Sequence, residues 1–228
     1  IIFKELGISD HNGKLKASRS DKFIQVNEFL KIIDHAVSEL ERDSRVGAKK
    51  EFSLVDLGCG NAYLTFAAHQ YLLNKGLSVK TVGVDSRKDS RERNEEIAKR
   101  AHLNQGITFI AEEIDSYPPH AVDITVALHA CDTATDDAIS WAVESKSQVI
   151  LVAPCCHHDI QKQIKKAPEP WGIATKHGIL KERIGDIVTD AIRAQVLRVL
   201  GYRTDVIEFV AGDHTPRNLM IRAIYTGA

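Results

Sequence analysis

Val55-Asp56-Leu57-Gly58-Cys59-Gly60-Asn61-Ala62-Tyr63 is the stretch on which the fold turns. A short apolar run at 52–57 stops at two glycines, and a helix pattern through Ala62, Leu64, Ala67, Ala68, Leu72 and Leu73 follows at once. That is a strand giving way to a helix through a turn where backbone can approach a ligand closely. The dinucleotide fingerprint needs a third glycine for close packing, and bulky Tyr63 stands in its place. Asp56, ahead of the first glycine, instead suits a cationic ligand carrying an amino-acid ammonium group.

Strand and helix signals alternate downstream of this loop. Strands are predicted at 79–84, 107–111, 122–128 and 148–153, and helices at 90–101 and 133–144. A loop holding Pro168, Pro170 and Gly172 leads to a long helix at 180–200. Two last strands, at 203–210 and 219–225, are joined by Gly212-Asp213-His214-Thr215-Pro216-Arg217, too short for a crossover helix, so they must pair antiparallel. The expected class is α/β and Rossmann-like: a mostly parallel seven-stranded sheet, its last strand antiparallel, with helices on both faces. Upstream, residues 1–20 read as polar and irregular. Phe23, Ile24, Val26, Phe29, Leu30, Ile33, Val37 and Leu40 then mark an amphipathic helix with Asp21 as its N-cap. Residues 1–50 are thus expected to pack as a segment and helix on a domain of residues 51–228. The chain opens Ile1-Ile2-Phe3 and its one methionine is Met220, which reads as the C-terminal part of a longer protein.

With 228 residues, 43% of them hydrophobic, the chain can bury a sizeable core. A formal net charge of -1 gives no global field to draw nucleic acid or a membrane surface, so an anionic partner must meet a local patch. Such patches exist at Lys14, Lys16, Arg19 and Lys22; at Arg87, Lys88, Arg91 and Arg93; at Lys162, Lys165 and Lys166; and at Lys176, His177, Lys181 and Arg183. Charge runs on helices are most often solvated faces. Arg217 is more pointed, sharing a short loop with His214. The apolar run at 149–156 is too short to span a bilayer, so no membrane partner is expected. Cys155 and Cys156 are adjacent, a poor basis for a disulfide framework, and a reducing, cytoplasmic setting is expected.

The strand ends carry the chemistry. Asp85 closes the second strand, where a carboxylate can accept from both ribose hydroxyls of a nucleoside lying over the glycine loop. Glu113, past the third, can accept from an adenine amino group, and the adjoining Ser86 and Ile114 fall in the same site. Three acids after three successive strands, with glycines on the first, fit S-adenosylmethionine better than a nicotinamide cofactor. The predicted cofactor set is Asp56, Gly58, Cys59, Gly60, Asn61, Tyr63, Asp85, Ser86, Glu113, Ile114 and His129.

Leu128-His129-Ala130-Cys131-Asp132-Thr133-Ala134-Thr135-Asp136 and Ala153-Pro154-Cys155-Cys156-His157-His158 end the fourth and fifth strands at the same edge. Methyl transfer is a direct displacement, so alignment and desolvation dominate, and a hydroxyl or amine acceptor also needs a base. His129, Asp132 and His157 are candidates for it; His129 and His158 could equally be hydrogen-bonded loop shapers, and Asp132 could cap the next helix. Cys131, Cys155 or Cys156 could be a nucleophile of the kind that makes 5-methylcytosine. Four consecutive Cys and His residues cannot easily wrap one zinc ion, so no structural metal is expected, although Cys131 and His129 could complete a composite site.

Asp-Leu-Gly-Cys-Gly-Asn at 56–61 and Val-Gly-Val-Asp at 82–85 resemble the class I S-adenosylmethionine-dependent methyltransferases, over roughly residues 52–226. The two strand-end motifs are similar to a branch that includes acceptor-stem tRNA 2′-O-methyltransferases and methyltransferase domains joined to glutathione-transferase-like domains. Asp132 departs from it, since those relatives usually have glycine there. Asp21-Lys22-Phe23-Ile24-Gln25-Val26-Asn27 and His214-Thr215-Pro216-Arg217-Asn218 resemble bacterial proteins of the same kind. The resemblance implies an S-adenosylmethionine-dependent methyltransferase acting on RNA, either tRNA or rRNA. A small-molecule or protein methyltransferase is the alternative, and a catalytically silent cofactor- or RNA-binding module is the alternative from another class.

Overall fold

Apolar runs in the middle of the chain become strands covered on both faces. In the computed structural model, which describes residues 2–42, 51–128, 130–155, 157–165, 167, 169–209 and 218–227, seven strands form one sheet. They are β1 (Glu51–Leu57), β2 (Ser78–Val84), β3 (Ile107–Ile110), β4 (Ile124–Ala127), β5 (Val149–Val152), β6 (Tyr202–Glu208) and β7 (Leu219–Tyr225). Their order is β3-β2-β1-β4-β5-β7-β6. The first five run parallel, and β7 lies antiparallel between β5 and β6. The expected architecture, with its reversed last strand, is the one found.

The helices are α1 (Ile2–Glu5), α2 (Ser20–Arg42), α3 (Tyr63–Asn74), α4 (Lys88–Arg100), α5 (Thr133–Glu144), α6 (His158–Gln163), α7 (Gly172–Thr175) and α8 (Gly178–Val199). Successive strand residues point to opposite faces. Leu54, Ile124 and Leu151 pack with Phe29 and Ile33 of α2 and Leu64 and Leu72 of α3. Val55 and Ile150 pack on the other face with Ala138 and Trp141 of α5 and Leu197 of α8. A smaller cluster of Cys59, Phe66, Ile97 and Phe109 fills the β2–β3 side under α4. There Gly83 is obligatory, because a Cβ on it would lie 2.6 Å from the Phe109 ring.

Differences from the predicted elements are local. Residues 2–20 hold α1 and a short 3₁₀ turn at Ala17–Arg19. Asp21 is not the cap of α2 but lies in its first turn, where a carboxylate still favours the positive helix end. The predicted loop before the long helix contains α6 and α7, of 6 and 4 residues, too short to show a periodic pattern. β4 is shorter at both ends than predicted. Val210 and the connection from Gly212 to Arg217, His214 included, lie outside the described residues, as do Ile1, Lys166 and Pro168.

Strand order reverses between β1 and β4, which makes the crevice beyond their carboxyl ends the natural ligand site of such a sheet. Register keeps the tips level there: Leu57 pairs with Val84, Asp56 with Val126 and Ala127 with Val152.

Candidate functional site

The glycine loop turns where L side chains fit poorly, with Gly58 at φ +72 and Gly60 at φ +53. A Cβ on Gly58 would sit 3.4 Å from the backbone nitrogen of Ala130, so the loops after β1 and β4 touch at the crevice. Gly58 and Cys59 N–H donate to the Val84 carbonyl at 2.8 and 3.0 Å, and Gly60 N–H donates to Asp85 Oδ2 at 2.9 Å. Buried Asn94 and exposed Arg93, both on α4, donate to the Gly60 carbonyl at 2.9 and 3.3 Å. Each of these hydrogen-bonded anchors comes from the next strand–helix unit.

Asp56 is buried and accepts from the Thr65 hydroxyl in the first turn of α3. Burial pushes its carboxyl up to about 7, the Thr65 hydroxyl opposes the shift, and the Asp85 charge adds to it. Burial would also raise Asp85. The Arg87 side chain and N–H, at 3.0 and 3.1 Å, and the Gly60 N–H overcome this and hold it below its usual range. Arg87 and Arg93, members of one of the local basic clusters, here turn onto Asp85 and the glycine loop. Cys59 is buried, and its thiol is driven far upward by burial and then by the two aspartates, which favours the protonated form.

Asn61, Ser86 and Glu113 are exposed at the tips, and Ile114 is half-buried against the α5 face. Tyr63 opens α3. Its phenol donates to Gln25 Oε1 on α2, and burial followed by the Asp56 charge raises it to about 12. The Lys22 ammonium stands 5.0 Å from the centre of its ring, a contact worth about 0.5–1 kcal/mol at an exposed site. The start of α2 therefore walls the loop, a role the sequence pattern gave no reason to expect.

The β4–β5 side of the edge is fastened differently. Asp132 sits at φ 54, ψ -123, a backbone conformation natural to glycine and costly for aspartate by roughly 1–3 kcal/mol. Its side chain makes no capping bond to α5, so that alternative is set aside; Oδ1 accepts from the Asp159 N–H of α6 at 3.1 Å. The Asp132 carbonyl accepts from Arg193 of α8 at 2.9 Å. Arg193 is buried and also clasps Asp136 in a bidentate pair at 2.7 and 2.8 Å, with Asp190 at 3.2 Å. Asp190 in turn accepts from or faces His157 Nε2 at 2.9 Å, and His157 Nδ1 lies 3.2 Å from Asp186 without a hydrogen bond to it. His157 was expected among the bases. It is only 3% exposed with each ring nitrogen facing an α8 carboxylate, which places it to hold the β5 loop rather than meet an acceptor. Neither Arg193 nor Asp190 stood out in the sequence.

Cys131 and Cys155 bring their sulfurs within 3.1 Å of each other across the two loops. His158 is exposed at the start of α6. His129 and Cys156 lie outside the described residues, so the composite metal site has no geometry to judge. Among the described residues no cluster of three or more His, Cys, Asp or Glu could hold a metal ion, and no helix is long and apolar enough to cross a membrane.

A family model described as a methyltransferase domain matches residues 21–163. The chain is 26% identical over 158 residues to a glutathione S-transferase C-terminal domain-containing protein of Xenopus laevis, a match covering 69% of this chain and only 23% of that protein. Magnesium protoporphyrin IX methyltransferase from Synechocystis PCC 6803 with bound SAH superposes at a TM-score of 0.51 and 16% identity, covering 99% of this chain and 93% of that one. Ribosomal protein L11 methylase from Lactobacillus delbrueckii subsp. bulgaricus does so at 0.51 and 15%, covering 84% of this chain and 76% of that one, and at such identities only the fold is shared.

Proposed function

The chain belongs to the family of methyltransferase domains, and we propose that it carries a methyl group from S-adenosylmethionine to RNA. When bound, S-adenosylmethionine supplies an electrophilic methyl group on a sulfonium centre; the protein supplies alignment and dryness. The site's own chemistry fits that ligand. Asp56 is a buried carboxylate raised to about 7 at the foot of a glycine loop, and a carboxylate so placed gains from a neighbouring cation such as the cofactor's ammonium. Asp85 accepts from the ribose hydroxyls, displacing the half-exposed Arg87 side chain. Glu113 receives the adenine amino group. Gly58, Cys59, Gly60 and Asn61 present backbone, with Ser86, Ile114 and Tyr63 around them.

Asp132, half-exposed at the β4 tip, takes the proton that a hydroxyl or amine acceptor loses. His129 and Cys156 stand on the same two loops by sequence. The observation that carries RNA as acceptor is Trp171, 61% exposed beside a cleft of about 500 Å³ between α6, α7 and α8 that Lys165 also lines. Exposed Lys162 stands on α6, and exposed Lys14, Lys16 and Arg19 precede α2 on the other flank. Bases stack on such aromatic faces while cations track the phosphates.

The test is to incubate the chain with methyl-labelled S-adenosylmethionine and total extract from cells lacking this gene, then separate RNA, protein and small molecules. Label is expected in RNA, lost with Asp85→Ala and reduced about tenfold with Trp171→Ala. Label confined to protein or small molecules overturns the RNA reading. Cofactor binding with no label anywhere overturns the enzymatic one and leaves a binding module.

A further inference from the structure

The glycine loop and its acids account for the nucleoside and the ammonium of the cofactor but leave its carboxylate without a partner. We propose that Lys22, with Tyr63 and Gln25 orienting it, forms the subsite for that carboxylate, so that α2 and the β1 tip together grip a zwitterionic amino-acid tail. The inference rests on the reading that S-adenosylmethionine lies across the β1 and β2 tips.

Helix α2 stands outside the strand–helix alternation, yet it is fixed rigidly beside α3. Its buried stripe of Val26, Phe29 and Ile33 enters the core. Tyr63 at the start of α3 reaches Gln25, and Tyr71 near its end donates to Asp34 at 2.8 Å, so the two helices run side by side in the same sense. Both therefore begin at the edge where the strands end. Lys22 makes no ion pair with any described residue; its ammonium rests over the Tyr63 ring instead. Asp56 acts electrostatically on that same phenol, so an anionic group and a cationic one both lie close to Tyr63. A ring contact is weak, and a ligand carboxylate offers Lys22 a charge-assisted hydrogen bond in exchange. The spacing of Lys22 and Gln25, one helical turn apart, puts both on the face that meets Tyr63.

Calorimetric titration separates the two halves of the ligand. S-adenosylhomocysteine carries the amino-acid tail; 5′-methylthioadenosine is the same thioether nucleoside without it. Lys22→Met should weaken S-adenosylhomocysteine at least about tenfold while leaving 5′-methylthioadenosine within about twofold of the unaltered chain. Lys22→Arg should restore most of the loss. An equal loss for both ligands would assign Lys22 to the shape of the loop, and no loss for either would remove it from the site; both results overturn the inference. Should the unaltered chain bind neither ligand, the cofactor reading falls and this subsite with it. Lys22 is only half-buried on the first turn, and thermal unfolding of Lys22→Met checks that the fold persists.

Discussion

The two halves of the ligand-facing edge are held by opposite means. After β1, the glycine loop is pinned by its neighbours in the chain: the Val84 carbonyl, Asp85 and Asn94, all in the next strand–helix unit. After β4 and β5, the loops have no glycine turn and are tied down by buried charges on α8, with Arg193 on Asp132 and Asp190 on His157. The first arrangement combines left-handed glycine conformations and backbone bonds to Val84 with the Asp85 and Asn94 side chains, so losing one side chain leaves the others in place. The second depends on a charge cluster out of water, where removing one partner strands the rest.

The largest expected effect follows from that difference. Arg193→Met leaves Asp190 and the Asp132 carbonyl buried without their donor and should cost about 3–5 kcal/mol. The melting temperature should fall on the order of 10 °C. Calorimetry on the folded fraction should still find S-adenosylhomocysteine affinity within about threefold; a collapse of that affinity would mean the two sides are not separately held.

Asp85→Ala attacks the other side. It should weaken S-adenosylhomocysteine by about 30- to 100-fold and cost stability about 1–2 kcal/mol, less than Arg193→Met, because the buried Gly60 N–H loses its acceptor while the Val84 carbonyl and Asn94 still hold the loop. Comparable losses in stability would erase the contrast.

Asp132→Gly sharpens the comparison within the β4–β5 side. Glycine adopts φ 54, ψ -123 without strain, so the melting temperature should rise by about 2–4 °C. Methyl transfer should fall about 100-fold if the carboxylate is the base. Full activity with the gain in stability would reduce Asp132 to a shaping role.

The smallest effect is a pH dependence on the cofactor side. Asp56 must be ionised to hold an ammonium, so affinity should drop about fivefold between roughly pH 7 and pH 6 as the carboxyl near 7 protonates. Stability runs the other way. The folded state holds this proton more tightly than the unfolded one, so the contribution of Asp56 is lost as pH rises from the ordinary aspartate range through about 7. Asp56→Asn should therefore raise the melting temperature near pH 8 and flatten the affinity profile, readable by paired calorimetry and thermal scans.

The same contrast governs what could be read from the sequence. The sheet, its reversed last strand, the glycine loop and Asp56 and Asp85 were legible because strand period, glycine position and an acid at a strand end are local signals. The ties to α8 were not, because they join residues far apart in the chain. One trace existed: Asp190, Arg193, Ala194 and Leu197 share a helix face, and charged groups on a stripe that turns inward must pair with something. Composition hides that orientation, since Ile187, Ile192 and Val196 of α8 face solvent. The contact of Lys22 with the Tyr63 ring was not legible for a related reason: which turn of α2 meets α3 depends on packing between helices.

The most direct measurement is a crystal structure of the chain with S-adenosylhomocysteine. Its ammonium should lie within hydrogen-bond reach of Asp56, its ribose on Asp85 and its adenine towards Glu113. Density for the nucleoside anywhere other than across the β1, β2 and β3 tips, or Asp56 still bonded only to Thr65 beneath a bound ligand, would contradict the assignment.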